Sequence, residues 1–206
     1  MQAGQTIKTE NNKSFIVEDK MIICLFTNKS YFKKEIIMPE QVHGDNIVFV
    51  RDEKENLEGT DGVFTENKDM VLGIGTRDCA PICMTDGDRI GIVHVGWKGL
   101  VNGIFDKMAS NFNGMNLIVY VGPFLHSFEI QRDFCYWEIN SKMGNKFFET
   151  REKKLFFNFY EALKSVLPKD TIWDDRNTKD DISLPSNRRG SLENFTTAVK
   201  FFNKTE

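Results

Sequence analysis

The segment from Gly75 to Gly99, GTRDCAPICMTDGDRIGIVHVGWKG, constrains the fold more than any other stretch. Two apolar β-type runs, residues 80–85 and 89–95, flank Thr85-Asp86-Gly87-Asp88, and Asp-Gly between such runs predicts a hairpin. A turn centred near Gly87 sets Cys79 opposite Val95 and Ala80 opposite His94, within one register step. Cys79 and His94 then meet at the open end of one hairpin, close enough to share a metal or a proton. The same positions also suit a buried cysteine and a satisfied strand-end histidine.

Other β-type runs, rich in Val, Ile and Phe, fall at residues 14–18, 21–27, 46–50, 71–75 and 117–121. Apolar residues at helical spacing predict helices over 98–112, 152–167 and 191–202, with a short strand near 171–173. There is no internal repeat and no low-complexity linker. One mixed α/β (α+β) domain spanning 1–206 is the simplest organisation for 206 residues of which 40% are hydrophobic.

Composition removes several function classes. With 27 Lys+Arg against 30 Asp+Glu, a formal net charge of -3 and no basic tract, the chain lacks the clustered cations of a nucleic-acid surface. No apolar run approaches the roughly 20 residues that cross a bilayer. The first residues are polar with no apolar h-region, which points to a cytoplasmic setting with reduced thiols. The expected partner is a small-molecule substrate, with no nucleic acid, no membrane and a monomeric or homodimeric state.

The whole sequence holds three histidines, His43, His94 and His126, and four cysteines. Gln41-Val42-His43-Gly44 precedes a strand, where a histidine beside glycine is either a ligand-approaching loop residue or a water-exposed turn. His43, Cys79 and His94 together supply two imidazoles and one thiolate, a set that suits Zn²⁺ with its fourth position open. Their separation is no local zinc motif. Val95-Gly96-Trp97-Lys98-Gly99 runs from strand to helix, where N–H groups, Arg77 and Lys98 can receive an anion, or where Trp97 packs and the charges are solvated. Asp61 and Asp78 are either supporting carboxylates or turn residues. Cys24, Cys83 and Cys135 read as packing.

QVHG at 41–44, TDG at 60–62, DCAPI at 78–82, HVGWKG at 94–99 and VGP at 121–123 resemble, in order and separation, the YfiH family. Its members are also called laccase-domain or polyphenol-oxidase proteins, peptidoglycan editing factors and purine nucleoside phosphorylases. The resemblance spans roughly residues 15–200. It implies a single fold similar to the catalytic domain of cytotoxic necrotizing factor toxins. It also implies that His43, Cys79 and His94 form the family's zinc site.

The implied activities are phosphorolysis of adenosine, inosine and methylthioadenosine and deamination of adenosine, with purine nucleoside and phosphate as substrates. Arg77, Lys98 and Arg188 are the candidates to hold phosphate, Arg188 within a Ser186-Asn187-Arg188-Arg189 element similar to the family's Ser-Tyr-Arg-Arg. Two alternatives use the same residues: a metal-free Cys79–His94 hydrolase or amidase, related to the cell wall, and a copper-dependent polyphenol oxidase. Three histidines are too few for a blue-copper centre plus a trinuclear cluster, though one copper ion could still bind. The chain departs from the family at Arg77, Val95 and Lys98, where the usual residues are Ala, Ala and Arg. The stretch that follows Gly122-Pro123, residues 124–130, is shorter than the family's and lacks its cysteine, so His126 is not taken as a family ligand.

Overall fold

The structure, a computed structural model, describes residues 6–9, 12–17, 20–26 and 35–202. In chain order the first strands are β1 (Thr6–Thr9), β2 (Asn12–Val17), β3 (Met21–Phe26), β4 (Ile36–Ile37), β5 (Ile47–Phe49) and β6 (Gly62–Thr65). The strands β7 (Val71–Thr76), β8 (Ala80–Thr85) and β9 (Ile90–Val95) lead into helices α1 (Trp97–Val101) and α2 (Ile104–Ala109). Next come β10 (Ile118–Val121), β11 (Ser127–Glu129), α3 (Phe134–Met143), β12 (Phe148–Arg151), β13 (Lys154–Asn158), α4 (Phe159–Val166), β14 (Ile172–Trp173) and β15 (Phe195–Phe201).

One six-stranded sheet runs β1-β2-β3-β15-β7-β4, a second runs β14-β10-β8-β9-β6-β5, and a three-stranded sheet runs β11-β13-β12. Alternation within the buried strands divides the second sheet between two cores. Met21, Ile23, Leu72, Ile74 and Val199 of the first sheet pack against Val63, Cys83, Ile90 and Ile92 of the second. On the other face of the second sheet Ile82, Met84, Val93 and Val95 meet Ile104, Met108, Ile139 and Leu163 of the helices, and Phe157 of the small sheet. The shared central sheet makes this one mixed α/β domain. Among the described residues no helix is long and apolar enough to cross a membrane.

The structure revises three expected elements and adds one. Residues 191–202 form no helix: β15 is a central strand between β3 and β7. Its residues Phe195 to Val199 are all buried, and a strand covered on both faces has no alternating pattern to distinguish it from a buried helix. The expected 152–167 helix is β13 followed by α4, with the Asn158 side chain accepting from Glu161 N–H at the junction. The 98–112 helix is broken in two at Gly103, whose φ of 71° is left-handed. Helix α3 is an additional element, capped by Asp133, which accepts from Cys135 and Tyr136. Glu18 and Thr27, placed by the sequence at strand ends, lie outside the described residues.

Candidate metal and active site

The β8–β9 hairpin pairs Ala80 with Val95 and Pro81 with His94, one step from the expected register. That step matters because paired residues share a face and a one-residue slip reverses it. In the observed register Cys79, just before β8, projects to the same face as His94, toward the first sheet. The four-residue connection from Thr85 to Ile90, with Gly87 at φ 97°, sets this pairing.

His43 enters from the loop between β4 and β5. Ligand atoms of His43, Cys79 and His94 all lie within 4.8 Å of one another. The two imidazole centroids are 4.7 Å apart and nearly perpendicular. His94 is 3% exposed and Cys79 half-buried, while His43 stands at the solvent side.

Asp61, immediately before β6, ties the parts together. Its Oδ1 lies 2.7 Å from His94 Nδ1 and accepts from His43 N–H at 3.0 Å. Oδ2 accepts from Gly44 N–H at 2.7 Å and Val42 N–H at 3.2 Å. Burial raises the affinity of Asp61 for a proton, but the His94 hydrogen bond and the loop N–H groups outweigh it and hold the carboxyl below its ordinary range. Burial works against a charged His94 too, yet Asp61 and Cys79 raise its pKa to about 9. Burial likewise pushes the Cys79 thiol up, and hydrogen bonds from His43 and His94 more than reverse this, to about 7. An anionic sulfur is thereby favoured beside two imidazoles.

The cluster lies in the wall of a cavity of about 780 Å³. Arg77 and Arg188 also line it, with Trp97 and Phe128 as aromatic surfaces. Arg77 donates to the Ser191 carbonyl at 2.9 Å, and the Arg188 guanidinium lies 5.3 Å from the Phe128 ring centroid. Lys98 is not part of the lining; it is exposed, its Nζ 5.8 Å from the Trp97 centroid. Asp78 fastens three segments: its carboxylate accepts from Thr178 Oγ1 at 2.8 Å and Arg188 N–H at 3.0 Å, and its carbonyl from Leu125 N–H. Gln41 clamps Gly75 by donating to its carbonyl and accepting from its N–H, both at 2.9 Å.

His126 stands apart, its ring 4.9 Å from Phe124 and 5.0 Å from Tyr160, outside the group that could hold a metal ion. Cys24 and Cys83 are buried, and burial pushes the Cys83 thiol up. Cys135 packs against the helix-side core as expected and also lines the cavity, beside Asp133. The sequence carried a signal for that position in the Asp133 cap, but not for its facing the cavity.

The donor set fits a zinc ion: two imidazoles and a low-pKa thiolate leave a fourth position open, and the His94 Nδ1 bond turns Nε2 inward. Soft thiolate also admits copper.

A family model described as multi-copper polyphenol oxidoreductase laccase matches residues 13–187. A purine nucleoside phosphorylase of Rickettsia conorii is 29% identical over 201 residues, covering 89% of this chain and 82% of the relative. One of Aquifex aeolicus is 28% identical over 177 residues, covering 81% and 83%. Among solved structures, a Neisseria meningitidis protein superposes with a TM-score of 0.74 at 15% identity, covering 98% of this chain and all of that one. A Bacillus licheniformis protein described as hypothetical protein YfiH gives 0.69 at 21% identity, covering 80% and 73%. These structural likenesses concern the fold.

Proposed function

The chain belongs to the YfiH family, whose model carries the laccase description, and we propose that it is a zinc-dependent purine nucleoside phosphorylase acting on adenosine, inosine and methylthioadenosine. The observation that carries this reading is the convergence of His43, Cys79 and His94 in the wall of a cavity that also presents two arginines and two aromatic faces. The phosphorylase names of the Rickettsia conorii and Aquifex aeolicus relatives point the same way.

His43, Cys79 and His94 hold the ion, which when bound supplies Lewis-acid stabilisation and a lowered pKa for water. Arg77 and Arg188 bind and orient phosphate, because a guanidinium offers several N–H donors to an oxyanion. Arg77 spends one N–H on Ser191, which fixes the fork. Trp97 and Phe128 provide apolar surfaces for the purine. Phosphorolysis then forms a bond from a phosphate oxygen to the ribose anomeric carbon as the bond to the purine nitrogen breaks. Holding the reactants in line is the main contribution of these residues. Adenosine deamination is the second activity proposed for the same cavity.

A metal-free reading draws on the order Cys79, His94, Asp61, in which a carboxylate orients an imidazole beside a thiol. Copper-dependent phenol oxidation is the other alternative; the sequence has three histidines, and one of them, His126, lies elsewhere. Metal analysis of freshly purified protein, joined to an adenosine assay with and without phosphate, separates these readings. Bound zinc and phosphate-dependent release of adenine support the phosphorylase. Inosine marks deamination. Absence of both zinc and any product from purine nucleosides overturns the proposal.

A further inference from the structure

We infer that Asp61 is the positioning residue of this centre: one buried carboxylate that sets both histidines, His43 through its main chain and His94 through its ring. The inference rests on reading the cluster as a metal centre and adds what makes its two nitrogen ligands converge on Cys79.

His43 has φ 59°, a left-handed backbone in a residue with a Cβ. Such a conformation costs on the order of 1 kcal/mol and persists where the surroundings impose it. Here the imposing group is visible. Three successive N–H groups, of Val42, His43 and Gly44, point at the two oxygens of Asp61 at 3.2, 3.0 and 2.7 Å. Consecutive N–H groups around a left-handed residue form a concavity suited to an anion, and in this chain the anion is its own carboxylate. Gly44 approaches closely as well: a Cβ at that position would lie 3.3 Å from Asp61 Oδ2.

The second hold is on His94. Its Nδ1 lies 2.7 Å from Oδ1, and its main-chain N–H donates to the Asp61 carbonyl at 2.7 Å. Ring and backbone are thus fixed by a single residue, with Nδ1 as donor and the Nε2 lone pair left for the centre. Asp61 is 0% exposed, so water does not substitute for any of the four side-chain contacts.

An acid of this length is required. Asn has the same shape but replaces one acceptor oxygen with an NH₂ donor, which would face either the loop N–H groups or the ring N–H. Glu keeps the charge and moves it by about 1.5 Å.

The test is a zinc titration of the metal-free chain of 206 residues against a chromophoric chelator for wild type, Asp61→Asn and Asp61→Glu. It is joined to thermal unfolding of the metal-free forms and to nitrogen-resolved NMR of the histidine rings. Expected are a wild-type His94 Nδ1 proton in slow exchange with water, with or without zinc, and zinc binding weakened about 10–100-fold in both variants. Loss of affinity in a variant that still unfolds cooperatively separates positioning from general stability. A wild-type His94 lacking that Nδ1 proton overturns the inference, as does zinc binding within about twofold of wild type in Asp61→Asn. If neither variant folds, the wild-type proton decides. A wild type that binds no zinc contradicts the metal-centre reading alone, and the same proton still tests the role of Asp61.

Discussion

Gly96 faces Cys79 so closely that a Cβ at position 96 would stand 3.2 Å from the cysteine sulfur and 3.4 Å from His43 Cδ2. The backbone there, φ -90° and ψ -179°, is open to any residue, so the glycine is needed for space rather than for conformation. Gly96→Ala is therefore expected to fold with little change in unfolding temperature and to bind zinc on the order of tenfold more weakly, as ligand displacement requires. Parallel thermal unfolding and chelator competition check this.

The thiol predicts a pH profile. With its pKa at about 7, Cys79 in the metal-free protein should react with iodoacetamide along a curve whose midpoint lies near pH 7, below that of an ordinary thiol. Zinc should suppress the reaction. Mass spectrometry of the alkylated chain gives the rate at each pH.

Stability follows from the same groups with opposite signs. His94, raised from 6.5 to about 9, contributes stability that is complete below 6.5 and lost as pH rises through 9. Cys79, lowered from 9.0 to about 7, contributes stability that is present above 9.0 and lost as pH falls through 7. Between pH 7 and 9 the two slopes offset each other. Cys79→Ser removes the Cys79 slope and leaves the part of the His94 slope that Asp61 sustains, so the variant's stability should fall with rising pH where the metal-free wild type stays level. Urea titrations at pH 7, 8 and 9 measure both.

Arg77 and Lys98 should separate sharply. Removing a guanidinium that binds an oxyanion costs about 1.5–3 kcal/mol, so Arg77→Gln is expected to raise the phosphate KM by about 10–150-fold. The nucleoside KM should change far less. Lys98→Gln, at an exposed residue outside the cavity lining, should leave both within about twofold. Steady-state rates with each substrate varied in turn distinguish the two.

Phe157 joins the small sheet to the main core and is 0% exposed, its ring 5.4 to 6.1 Å from those of Phe148, Phe128 and Phe159. Phe157→Ala should cost about 3–5 kcal/mol in urea unfolding. This residue sits in the segment whose apolar spacing suggests one helix.

The hairpin and its two site residues were legible because Asp-Gly turn chemistry is local, while the register depended on a four-residue connection that sequence fixes only to within a step. β15 was not legible, since full burial on both faces erases the period of two. Helix α3 escaped for the opposite reason: Phe134 is 67% and Trp137 58% exposed, so its apolar residues mark no single stripe. Asp61 read equally well as a turn residue in Thr60-Asp61-Gly62. Its partners at 42–44 and 94 are distant in the chain, and only the pairing of β6 with β9 brings His94 beside it.

The most direct measurement is the product balance of the zinc-loaded chain incubated with adenosine in phosphate buffer, compared with Cys79→Ala. Equal amounts of adenine and ribose 1-phosphate, abolished in the variant, are the expected result. Zinc-loaded protein that releases no base from adenosine, inosine or methylthioadenosine, or a Cys79→Ala variant that turns over at the wild-type rate, would contradict the account.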